Sequence, residues 1–162
     1  MSGTAMHGSA DAAGDAPMRL FHLSAASLGG QSGTTTGQTA NMRRVEAISG
    51  RTVGSKQLWM GQTHVAPGTS SGDHHHGASE TGIYVLSGNP VFVFLQDGEQ
   101  VRLHTSPGDY VYVPPWVPHR EENPDPDTEA VVVISRTTQE AIVVNLPDLH
   151  PPDLHGAVDP TD

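Results

Sequence analysis

From Val45 onward, short apolar runs alternate with clusters of Gly, Pro, Asn and Asp, and no stretch holds a 3.6-residue apolar period long enough for a major helix. This pattern predicts an all-β chain. The expected strands are Arg44–Ile48, Gln57–Val65, Thr81–Leu86, Pro90–Leu95, Glu99–Thr105, Tyr110–Val113, Ala130–Ile134 and Ala141–Asn145. Asp97-Gly98 is a hairpin signal and Ser106-Pro107-Gly108-Asp109 a second turn. Many short, evenly spaced strands suit a sandwich or a small closed barrel. Two runs, Val91 to Leu95 and Val131 to Ile134, are apolar at successive positions, so both faces of those strands should be covered, by a second sheet or by another subunit.

The chain has 162 residues, room for one domain. Its ends carry little that could join a core: residues 1–20 are expected to form a disordered tail, and the Pro- and Asp-rich residues 147–162 a flexible one. The foldable unit is then 21–146, a barrel core over 41–146 preceded by an N-terminal arm. Pro-Asp-Leu-His occurs at 147–150 and again at 152–155, which reads as a solvated tail rather than a second metal site. A formal charge of -10, with a single lysine, argues against nucleic-acid and anionic-membrane partners. There is no cysteine, so any metal must be held by nitrogen and oxygen. With no apolar stretch of membrane-spanning length, a cytoplasmic protein is expected.

Two blocks carry the chemistry. The first runs from Gly68 through His74, His75, His76 and Glu80 to Gly88; the second runs from Pro107-Gly108 through Pro114, Trp116 and His119 to Asn123. On a strand, residues 74 and 76 share one face and residue 75 takes the other. His74 and His76 can therefore share a target that His75 cannot. The small residues Gly77-Ala78-Ser79 allow a reversal that would bring Glu80 beside that target, and His119 would join them if the barrel closes. Neutral imidazoles with a carboxylate suit manganese, iron, cobalt, nickel, copper or zinc.

Together these blocks resemble the two signature motifs of the cupin superfamily. The resemblance implies a jelly-roll β-barrel, or double-stranded β-helix, with one divalent metal at its centre held by His74, His76, Glu80 and His119. This chain departs from the family pattern twice. Seven residues rather than six separate Glu80 from Gly88, which calls for a bulge or a one-residue shift near Thr81, and Trp116 stands where the family has glycine.

Four protein ligands on a six-coordinate ion would leave two positions open, enough to chelate a small oxygenated substrate or to take one substrate atom together with dioxygen. The resemblance thus implies dioxygenase- or oxidase-like chemistry, with iron or manganese favoured, ahead of a Lewis-acid lyase or isomerase. The rival from another class is a non-catalytic module that binds or senses a small molecule. Tyr84, four residues beyond Glu80, is the candidate acid or base. Gln62, His64, Arg102 and Trp116 are candidate pocket residues, Arg102 for a substrate carboxylate. Arg120 is expected in an outer ion pair with Glu121 or Glu122. The expected partners are an anionic or chelating small molecule and, from the doubly apolar strands, a second copy in a homodimer.

Overall fold

In a computed structural model the described residues are 19–28, 42–139 and 142–150. A short helix, α1 (Ala25–Leu28), precedes eleven strands interrupted by one further short helix: β1 (Met42–Ile48), α2 (Gly50–Val53), β2 (Trp59–Val65), β3 (Thr69–Ser70), β4 (His74–His75), β5 (Thr81–Ser87), β6 (Val91–Gln96), β7 (Glu99–His104), β8 (Tyr110–Val113), β9 (His119–Asn123), β10 (Ala130–Arg136) and β11 (Val144–Asn145). One sheet runs β1-β2-β10-β5-β8 and the other β11-β4-β9-β6-β7, with β3 also on β9. The recorded pairings are all antiparallel.

The two sheets face each other across the core, as the alternation of β2, β5 and β10 requires. Trp59, Ile83, Val85, Val113, Val132 and Ile134 of the first sheet meet Phe92 of the second in one buried cluster. Burial of a valine or isoleucine side chain stabilises by roughly 1.5–3 kcal/mol, so this cluster is the main driving term for closing the sheets. Gly61 makes room for the indole: a Cβ there would lie 2.5 Å from the Val45 carbonyl oxygen and 2.7 Å from the Trp59 ring. The β6–β7 hairpin turns at Asp97 and Gly98, both at positive φ (53° and 82°), the conformation that an Asp-Gly pair favours.

The outer side of the doubly apolar strand β6 is covered within the chain, where Leu149, 4% exposed, packs on Val91 and Val93. Residues 147–150 are therefore not a free tail; Leu149 is the apolar anchor that their Pro- and Asp-rich composition concealed. Residues 1–18 and 151–162, to which the rest of the expected tails belong, lie outside the described residues. The exposed aromatic surface is elsewhere, at Tyr110 and Tyr112 on β8. Among the described residues no helix is long and apolar enough to cross a membrane.

Candidate metal centre

Three histidines converge between the sheets. His74 and His119 are direct partners across β4 and β9, and His76 follows two residues after His74, on the same side of the chain. Their ring centroids lie 4.4–5.0 Å apart, and each offers a ligand atom within 4.8 Å of the others. Each Nδ1 faces a backbone carbonyl: His74 that of Gly72 at 2.9 Å, His76 that of Ile142 at 2.9 Å, His119 that of Val117 at 3.0 Å. A carbonyl oxygen only accepts, so each Nδ1 carries the proton and donates, leaving Nε2 with a bare lone pair. The Nε2 atoms of His74 and His119 are buried without a partner.

The electrostatics keep these rings neutral. Burial first, and the neighbouring His119 second, push His74 down to about 3. Burial and then the Arg136 guanidinium lower His76. Burial lowers His119, with Glu121, the next cause, acting the other way. Neutral imidazoles, oriented by carbonyls through the far nitrogen, are the form in which histidine binds metal. The orphaned Nε2 atoms fit a divalent transition ion and little else that this chain supplies.

Glu80 does not join them. It is exposed, and its Oε1 accepts a hydrogen bond from the Tyr112 hydroxyl at 2.9 Å. The reason is parity. Strand β5 alternates with Thr81, Ile83 and Val85 inward, so the preceding residue points out. The pairing of β5 with β8 runs unbroken from Thr81↔Val113 to Tyr84↔Tyr110. The irregularity in β5 falls at its other end, against Val131 and Val132 of β10, where it cannot turn Glu80 inward. The inward position is taken by Thr81, whose hydroxyl is buried and unpartnered. Among the described residues, the metal-holding group is thus three imidazoles without a carboxylate.

The other expected site residues face away from this group. Tyr84 packs on the exposed Tyr110, ring centroids 4.9 Å apart, on the outer side of β5. Gln62 and His64 alternate with the buried Gly61, Thr63 and Val65, and His64 pairs with Glu129 at 2.8 Å. Arg102 pairs with Glu122 at 2.5 Å on the outer face of the second sheet. Arg120 pairs there with Glu122 and with Asp73, each at 2.8 Å, which matches the outer ion pair expected of it. Trp116, at φ 65°, packs its half-exposed ring on His75, 5.5 Å away. His75 itself is buried on the opposite side from His74, its Nδ1 accepting from the Gly77 amide.

In place of those residues the interior presents Arg44, Thr63 and Arg136, which the sequence did not single out, and Glu121, which it offered as an outer partner of Arg120. Glu121 lies two residues beyond His119 and is buried; the same parity that pairs His74 with His76 turns it inward and leaves Glu122 to Arg120. Arg136 closes β10 one alternation beyond Ile134, further than the apolar run extends. It is 2% exposed, and burial lowers its guanidinium to about 10. In register it sits between Trp59 and Thr81. Arg44 stands opposite Thr63 on the same face, and the Arg44 Nε, Arg136 Nε and Thr63 hydroxyl are all buried without partners.

Residues 61–135 match the family model described as Cupin domain. Among curated proteins, a 3-hydroxyanthranilate 3,4-dioxygenase of Cupriavidus pinatubonensis (strain JMP 134 / LMG 1197) is 29% identical over 91 residues, 54% of this chain. That alignment spans 48% of the relative, about half its length. Among solved structures, Bacillus subtilis oxalate decarboxylase, described in connection with its Mn(II) centres, is 25% identical with a TM-score of 0.58, covering 65% of this chain and 28% of that one. An oxalate oxidase in complex with the substrate analogue glycolate shares the fold at 19% identity and a TM-score of 0.59, covering 72% of this chain and 60% of that one.

Proposed function

Because this chain belongs to the cupin superfamily and gathers three neutral imidazoles inside its barrel, we propose that it is a metal-dependent enzyme acting on a small oxygenated organic molecule by dioxygenase- or oxidase-like chemistry. The observation that carries this reading is the set of three Nε2 lone pairs, each fixed by a carbonyl behind the ring, two of them buried with nothing else to bind. His74, His76 and His119 would hold the ion. Iron or manganese is favoured, in keeping with the Mn(II) centres of the decarboxylase and the oxygen chemistry in the names of the dioxygenase and the oxidase.

A divalent ion held by three neutral ligands keeps its full charge of +2, and when bound it supplies Lewis acidity and, if redox-active, electrons. Three protein ligands leave more of the coordination sphere to substrate than the four expected from the sequence. The chain's own residues do the rest. The core wall of Trp59, Phe92 and Val113 excludes water, and Thr81 offers a hydroxyl beside Arg136.

Elemental analysis of untagged protein, purified without chelator or a nickel column, tests the reading beside His76→Ala and His119→Ala variants. About one iron or manganese per chain, lost in both variants, is expected, followed by oxygen uptake with small hydroxy acids, diketones or phenols. A parent protein that takes up no transition metal overturns it.

A further inference from the structure

The barrel interior is richer in positive than in negative side chains. Arg136 is almost wholly buried, yet among the described residues no carboxylate stands within ion-pair distance of it. Its Nη1 donates to the Ile142 carbonyl at 3.3 Å, its Nη2 lies 3.4 Å from the Nε2 of His76, and its Nε has no partner. Of the Nε–Nη2 edge, the fork that receives a carboxylate in two parallel hydrogen bonds, Nε is thus unpartnered and Nη2 makes only the long contact to His76 of the three-histidine group. The Trp59 ring supports the guanidinium 5.8 Å from its carbon, so the fork is held in place rather than free to swing out to solvent. On the same face, Thr81 contributes a buried hydroxyl and Arg44 a buried Nε, neither with a partner.

A buried guanidinium without a direct ion-pair partner costs several kcal/mol, and the one buried carboxylate among the described residues, Glu121, favours the charge of Arg136 only from beyond ion-pair distance. Adding a divalent ion on neutral imidazoles makes the imbalance larger. We propose that Arg136 is the specificity-determining residue of this site, binding the carboxylate of a small anionic substrate whose second oxygen reaches the metal, with Arg44 adding positive charge on the same face. This rests on the metal reading above and narrows it: the substrate is an acid, chelating through a neighbouring hydroxyl or carbonyl. Arg102, which the sequence offered for this task, is committed to Glu122 on the outside.

The test uses the full chain loaded with Co(II), whose visible spectrum reports on ligands at the metal. Glycolate, the smallest 2-hydroxy acid, is titrated beside its neutral isostere glycolamide. Glycolate should shift the cobalt spectrum at concentrations at least about tenfold below those glycolamide needs, and Arg136→Gln should remove that preference while still taking one cobalt per chain. Arg136→Lys should restore part of it, since a point charge replaces the fork. Equal response to the two probes in the parent, or an unchanged glycolate preference in Arg136→Gln, overturns the proposal and leaves the metal reading intact. Cobalt taken up only by Arg136→Gln would mean that the guanidinium occupies the metal's place, and overturns it too. If neither chain takes cobalt, the metal reading fails. A glycolate-dependent rise in melting temperature, present in the parent and absent in Arg136→Gln, then still supports the carboxylate site, and its absence overturns it.

Discussion

Glu80 and Thr81 are neighbours in the chain on opposite sides of a sheet, and that one step of parity decides the charge of the metal centre. Since the exposed Glu80 carboxylate hydrogen-bonds to the Tyr112 hydroxyl and its contacts with Thr137 run through its backbone, Glu80→Ala should leave metal stoichiometry at the parent value and change stability by less than about 0.5 kcal/mol. Metal analysis beside a denaturant titration checks both, with His76→Ala as the contrast. The three histidines were legible in the sequence because strand parity puts His74 and His76 on one face and the second of the two cupin-like blocks adds His119. Glu80 misled because a carboxylate four residues after a ligand, beyond a reversal, looks equally available on either face. Only the pairing of β5 with β8 and β10 says where the irregularity falls.

At the scale of elements, one strand that carries part of the site has no apolar pattern. Strand β9 reads His-Arg-Glu-Glu-Asn, and its inward residues are His119, Glu121 and Asn123; a search for hydrophobic alternation passes over it. By contrast β5, β6, β7, β8 and β10 were evident from their apolar runs and from the Asp-Gly turn. Arg136 was missed for the converse reason, since a charged residue ends the apolar run of β10 while the strand itself continues. Asn123 shows what a motif residue can do without chemistry. Its buried amide nitrogen donates to the carbonyls of Val65, Ala66 and Thr128, and its oxygen accepts from the Asp125 amide. This pins the end of β9 to the end of β2 and to the turn into β10. Asn123→Ala strands those groups and should cost about 2–3 kcal/mol, read as a lower urea midpoint with an unchanged slope.

For the whole molecule, the lowered pKa values of the three histidines set the response of the metal-free protein to acid. Their folded values lie below the unfolded value of 6.5, so the unfolded chain binds protons first as pH falls. Stability is then full above about 6.5 and declines below it, by up to roughly 1.4 kcal/mol per pH unit for each histidine that stays neutral when folded. For His74 the decline continues until about 3. Thermal melts of chelator-treated protein from pH 7.5 to 4.5 should show this fall, and bound metal should raise the melting temperature at pH 7.5.

The strand β11 pairs with β4 at Val144↔His75 and Asn145↔His74, and just ahead of it the Ile142 carbonyl orients His76 and accepts from Arg136. All of this lies past residue 135, where the family match stops. The boundary of resemblance therefore cuts through the working site: a chain trimmed to the shared domain would keep all three imidazoles but lose the hand that aims one of them.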